Sequence, residues 1–280
     1  MITALSALAT YVLATITTPH TVTTVLIPSL AIAIPLILRD PNLGGVKRPS
    51  TALALTLYTL FILVRVLQVM YYKSQGYHSY MLEKTYGSYL LLLVIALYSL
   101  NRSVLGLEGI STKKLRSSIV VCSILITVHT TVVLYSVFNM KDLVTYLYLN
   151  SSYIPYYLVN SFFEELLFRG FILTALAQRV SEVNAVLIQA TLFGIWHVPH
   201  HIVGSSAIPC VIHVIFSIEV GTVLGIARLL SNSILIPILL HTFVNSIPIL
   251  VTASPALELL LYSIAPIASL LLYVLYKSRI

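Results

Sequence analysis

Glu164-Glu165-Leu-Leu-Phe-Arg169 places two carboxylates and a guanidinium between long uncharged stretches. Glu165 and Arg169 are four apart, the spacing that puts two side chains on one helix face and lets them pair. Glu164 points about 100° away around a helix of 3.6 residues per turn. A structural ion pair that pins neighbouring helices explains Glu165 and Arg169 but leaves Glu164 over. A carboxylate in such surroundings suits general acid or base work.

Histidines supply the next candidates. His197 closes the segment Phe193-Gly-Ile-Trp-His197, and His241 precedes Asn245 by four. A lone histidine in an apolar helix is most often an interhelical hydrogen-bonding group. Here Glu164, His197 and His241 fall at similar depth when counted from the basic ends of their segments. Together with Asn245 they offer a base, an imidazole to position water, and neutral donors for a developing oxyanion. That inventory fits hydrolysis of an amide. One Glu and two His are also the ligand set of many catalytic zinc sites, so a zinc on Glu164, His197 and His241 stays open.

Other chemistries lack their residues. A site-2-type zinc protease needs HExxH, which is absent. Gly204-Ser205-Ser206 has no flanking pattern of a serine nucleophile, and Cys122 and Cys210 lie far apart in separate apolar runs without a histidine beside them. Arg65, His129, His200, His201, His213 and Glu219 are further polar residues in apolar segments. His200 and His201 follow Pro199 and read as interfacial; Arg65 can snorkel or pair with a carboxylate across the bundle. Gly221 and Gly225 have the spacing of close helix packing.

The elements that must position these groups are set by composition. Of 280 residues, 58% are hydrophobic and 9% charged. A soluble globular chain carries about 25% charged residues, so this one cannot coat itself for water. A soluble enzyme, a secreted disulfide scaffold, a disordered tail and a nucleic-acid binder are thereby excluded. Uncharged runs cover 1–38, 117–140, 143–163, 183–218, 229–257 and 259–276. A membrane-crossing helix takes about 20 residues, and no ten-residue alternation of a barrel appears. The fold class is therefore all-α: a polytopic transmembrane helical bundle of about 8–10 membrane helices, and the polar candidates above would then have to meet in a cavity between helices if they are catalytic.

Spans are expected near 51–72, 88–100, 118–138, 155–178, 184–202, 207–229, 233–251 and 257–276, with 1–38 crossing once or twice. The net charge of +7 reads as topology. Alternation through the spans puts the loops 39–50, 101–117, 179–183 and 228–232 on one side with Lys277 and Arg279. These are the basic ones, which the positive-inside rule makes cytosolic. No basic stretch is interleaved with stacking aromatics, so nucleic acid is not expected as a partner.

With the residues laid out, the chain resembles the CPBP family of intramembrane proteases. That family includes type II CAAX prenyl endopeptidases of the Ras-converting kind and bacteriocin-processing or immunity-type relatives, and was formerly called the abortive-infection family. Its EExxxR motif is matched by Glu164, Glu165 and Arg169, its FxxxH by Phe193 and His197, and its HxxxN/D by His241 and Asn245. The three occur in the family's order within about 155–250. The resemblance implies a glutamate-dependent endopeptidase without a cofactor. Glu164 would activate water with help from His197, His241 and Asn245 would hold the oxyanion, and Glu165 and Arg169 would shape the site. It implies a membrane-anchored peptide or prenylated protein as substrate, a multi-pass protein in the lipid bilayer, and a cavity open to the cytosol. Residues 1–117 are then N-terminal transmembrane helices, and 118–280 the protease core of one continuous membrane domain. Glu219 departs from relatives, where that stretch is mostly apolar or Gly. A non-enzymatic immunity or partner-binding protein, or a proton-coupled transporter, is the alternative.

Overall fold

The computed structural model describes residues 50–74, 112–137, 154–202, 207–246 and 255–278, and among them every regular element is a helix. α1 is Thr51–Ser74 and α2 Thr112–Val137. α3, Ile154–Glu165, runs into a π-helical stretch, Leu166–Ile172, and a last α-turn, α4, Leu173–Leu176. After a short turn come α5, Glu182–Ile195, and α6, Val198–His201. α7 is Ala207–Ser231, α8 Leu235–Ser246 and α9 Pro255–Lys277. Residues 1–38 and the expected span 88–100 lie outside the described residues.

This is a helical membrane fold. α7, with 25 residues, and Leu259–Lys277 of α9 are long and apolar enough to cross a membrane. At 1.5 Å per residue α7 extends about 37 Å, against about 30 Å of hydrocarbon. α9 shows how the bundle meets lipid. Leu260, Ile264, Ile267, Leu271 and Val274 recur at three- and four-residue steps and are exposed, whereas Tyr262, Ala265, Ser269 and Tyr273 are buried against the bundle.

α7 is the central helix and packs on α2, α5, α8 and α9. Its approach to α5 depends on missing side chains. A Cβ on Gly194 would lie 2.5 Å from Ile218 Cγ1 and 2.9 Å from the Val214 carbonyl oxygen. One on Gly221 would lie 3.1 Å from Phe193 Cδ1 and 3.2 Å from Ala190 Cα. The expected close packing at Gly221 and Gly225 is thus real, and Gly194 supplies a third point of contact.

Two expected spans are less regular than a simple count of apolar residues implies. The segment 155–178 is not uniformly α-helical, because its middle widens into the π stretch. There Leu173 N–H reaches the carbonyl of Phe168, five residues back. The segment 184–202 is broken at Trp196-His197. Pro199 cannot donate to a carbonyl four residues earlier, so the helix cannot run straight through. His197 N–H instead bonds Gly194 O at 3.0 Å, and α6 starts anew at Val198. Both irregularities lie beside the candidate catalytic residues, where π-bulges and breaks are often found.

Candidate active site

α3 and α8 lie antiparallel, and one turn on each sets the register of the site. His241 Nδ1 donates to Glu165 Oε1 at 2.7 Å. Four residues along each helix, Asn245 Nδ2 donates to Ser161 Oγ at 3.4 Å. Glu164 projects beside this seam, with Oε2 3.6 Å from His241 Nε2. Its other oxygen accepts the indole N–H of Trp196 at 3.1 Å. Glu164 is therefore not left over once the helices pack: it faces α8 and the break after α5.

Glu165 is the hub beneath it. The same Oε1 that takes His241 also takes Arg169 Nη1 at 2.8 Å, so the expected four-residue pair forms although the helix widens just after Glu165. Arg169 Nη2 donates to the Gly221 carbonyl of α7 at 3.2 Å, and its guanidinium carbon stands 4.4 Å from the Phe193 ring centroid on α5. Glu165 and Arg169 are both fully buried. Two buried charges survive in such a place because each neutralises the other and both are hydrogen-bonded.

The hydrogen bonds fix where protons can be. A carboxylate only accepts, so His241 Nδ1 carries a hydrogen toward Glu165. A carbonyl only accepts too, so His197 Nδ1, 2.8 Å from Phe193 O, carries its hydrogen there. In the neutral ring this leaves the lone pair on Nε2 of His197. The Phe193 ring meets both imidazoles edge-on, with centroids 4.8 Å from His197 and 5.6 Å from His241. Phe193 thus acts as the apolar wall between them.

The structure brings Glu164, Glu165, Arg169, Phe193, His197 and His241 into one cluster and leaves Asn245 at its edge. Exposure rises from Glu165, fully buried, through His241 at 3%, to His197 at 9%, with Asn245 half-buried. The rise runs toward the end of the bundle that carries Ile202 and Ser246. Arg179, Arg228 and Lys277 belong to the opposite end, where Lys277 Nζ meets Glu182 at 2.8 Å.

Several residues enter that spacing alone did not select. Trp196, the single tryptophan, sits inside the Phe193–His197 segment, where it reads as filler until the helix break turns its N–H toward Glu164. Arg65 of α1, expected to snorkel or to pair across the bundle, reaches the helix break. Its Nη1 donates to the Trp196 carbonyl at 2.7 Å, and its guanidinium stacks 4.6 Å from the indole centroid. His213 of α7 stands with its ring centroid 4.8 Å from that of His197 and is 2.9 Å from His201 Nε2. The side chain of His200 lies outside the described residues. His129 bonds Tyr262 OH between α2 and α9, and Glu219 accepts from Ser263 on α9, so both tie helices together away from the cluster.

A buried glutamate-histidine cluster in a helical membrane bundle is what the fold and the site define. Residues 146–247 match the family described as Type II CAAX prenyl endopeptidase Rce1-like, so the resemblance carried by the three motifs is shown over that segment. The matched family is one of membrane-embedded proteases, and so of hydrolases. No curated protein and no solved structure matches the chain.

Proposed function

We propose that the protein is a multi-pass intramembrane endopeptidase of the CAAX type, in which Glu164 activates a water molecule. The observation that carries this reading is the placement of Glu164 within a protease-family segment. It is almost fully buried, with one oxygen held by Trp196 and the other 3.6 Å from His241 Nε2. A water can bridge a polar gap of that width.

In this reading Glu164 takes a proton from the water as its oxygen bonds to the scissile carbonyl carbon. His197 Nε2 helps to orient the water. His241, with a hydrogen on each ring nitrogen, donates from Nε2 to the oxyanion together with Asn245; Glu165 keeps the His241 ring aligned, and Arg169 holds Glu165 in place. Collapse of the intermediate breaks the C–N bond, and the proton held by Glu164 passes to the departing amine. Glu164 and His241 work without reorganising, because the buried network around them is already bonded, whereas Asn245 turns from Ser161 toward the oxyanion.

The substrate would be a peptide or protein held in the bilayer by a lipid such as a prenyl group and cut near its C-terminus. Glu164, His197 and His241 are also chemically suited to zinc, although among the described residues no three His, Cys, Asp or Glu side chains converge to hold a metal ion. The test compares a quenched farnesylated CAAX peptide with its unprenylated twin, for wild type, Glu164→Gln and His197→Ala, with and without a chelator. Cleavage of the prenylated peptide alone, lost in both variants and indifferent to chelator, is the expected result. Loss on chelation would replace the mechanism with a metal-dependent one. Flux of protons or solute without cleavage of either peptide would replace it with transport.

A further inference from the structure

We infer that Arg65, on a helix outside the family segment, is a positioning residue for Glu164 and acts through Trp196. The inference rests on the proposed role of Glu164, but the contacts it uses are independent of any substrate.

α1 follows the site-bearing helices with four side chains that donate to backbone carbonyls. Thr51 Oγ1 reaches Ala175 O at 2.9 Å, Tyr58 OH reaches Leu192 O at 2.8 Å, Arg65 Nη1 reaches Trp196 O at 2.7 Å, and Lys73 Nζ reaches Ile202 O at 3.0 Å. The first three are spaced by seven residues, two turns of a helix, so a single stripe of α1 carries them. Two of the acceptors, Trp196 and Ile202, lie at the break and just beyond α6. There the regular ladder is interrupted, and the carbonyls need partners from outside.

Arg65 does more than supply one. It is buried, 6% exposed, and its guanidinium also lies over the indole face. Carbonyl and ring belong to the same residue, so one planar cation fixes both the backbone and the ring plane of Trp196. The edge of that ring is what donates to Glu164 Oε1. Tyr58 and Phe168 pack on the same indole, with centroids 6.4 Å and 5.8 Å away, and limit its other motions. The chain of contacts is thus Arg65 to Trp196 to Glu164, and it is short. A lysine could reach the carbonyl but could not present a flat, delocalised cation to the ring as well.

Trp196, as the single tryptophan, reports on this contact without any added probe. The experiment records emission and acrylamide quenching of the full chain in nanodiscs for wild type, Arg65→Met, Arg65→Lys and the lipid-facing control Leu67→Met. Arg65→Met is expected to shift the emission maximum and raise quenching. Arg65→Lys is expected to fall between it and wild type, and the control to match wild type. On a cleaved peptide, Arg65→Met should lower kcat about 10²-fold, the cost of a roughly 1 Å misplacement of a reacting group, with KM little changed. Its effect should not add to that of Trp196→Phe, since both act on one contact.

Wild-type emission and quenching in Arg65→Met overturn the inference. Should that variant not fold, wild-type behaviour of Arg65→Lys overturns it equally. Changed fluorescence with no peptide cleaved by any form leaves the Arg65–Trp196 contact standing and removes the peptidase reading. Full cleavage by an Arg65→Met protein with unchanged fluorescence does the reverse.

Discussion

Glu165 holds His241: a single carboxylate oxygen accepts the imidazole Nδ1–H at 2.7 Å and the Arg169 guanidinium at 2.8 Å. The two adjacent glutamates therefore have different tasks. Glu165 closes a buried charge network, and Glu164 faces the gap where chemistry is proposed.

That division predicts opposite outcomes for two isosteric changes. Glu165→Gln leaves Arg169 as an unneutralised buried cation, and breaking such a pair costs about 3–5 kcal/mol. Glu164→Gln removes no partner of Arg169 and can keep an acceptor for the Trp196 N–H. It should unfold close to wild type while peptide turnover falls about 10²–10⁴-fold through loss of the base. Thermal unfolding in nanodiscs, measured beside turnover, checks both. Equal destabilisation of the two would contradict the division.

Much of this pairing was legible in the residues. The four-residue spacing anticipated Glu165–Arg169, and the order of Glu164, His197 and His241 on successive apolar segments anticipated their convergence. What spacing could not show was the partner of Glu164. Trp196 reaches it only because Pro199 ends α5 at that point, and a count of apolar residues runs straight through 184–202. Arg65 was visible as a charge in an apolar span, yet one group it bonds is a backbone carbonyl, which no side-chain pattern encodes. The π stretch was hidden for a related reason: Leu166–Ile172 reads as an ordinary apolar helix, and tertiary packing of its buried side chains decides the extra residue in its turn.

Asn245 is expected to matter through orientation. Its amide donates weakly to Ser161 Oγ across 3.4 Å, so it can turn toward a developing oxyanion with little lost. Asn245→Ala should reduce kcat about 10²–10³-fold, the usual cost of one oxyanion donor. Ser161→Ala should cost far less, since it frees the amide and removes no donor. A loss in Ser161→Ala as large as that in Asn245→Ala would show that the Ser161 contact, and not donation to substrate, is what Asn245 provides.

The contact of α5 with α7 gives a test in packing alone. A methyl on Gly194 meets a flexible Ile218 side chain but also the Val214 backbone oxygen at 2.9 Å, which cannot yield by a rotamer change. Gly194→Ala should destabilise by about 1–3 kcal/mol, the range for overpacking. It should also impair turnover, because the displaced stretch carries Trp196 and His197. Gly225→Ala meets only side-chain atoms of Gln189 and Val186 at 3.1 Å and beyond, so its loss of stability should be smaller. Unfolding curves for the two variants, compared at matched lipid composition, decide the order.

Charge distribution gives a prediction for the orientation of the bundle. α1 begins beside Ala175, α9 ends beside Glu182, and Arg179 and Arg228 lie at that same end. Arg179 is exposed there. By the positive-inside rule that end is predicted to face the cytosol. A cysteine placed at Arg179→Cys, with Cys122 and Cys210 replaced, should react with a membrane-impermeant maleimide in inside-out vesicles and not in right-side-out ones. The site becomes more exposed in the other direction, from Glu165 toward His197 and Asn245, so this result would require the scissile bond to reach Glu164 from the half of the membrane away from the basic end. The reverse labelling pattern would place the exposed edge of the cluster on the cytosolic side, as the family resemblance implies. It would also mean that Arg179, Arg228 and Lys277 serve the bundle through local contacts, such as Lys277 with Glu182, and not as topological signals.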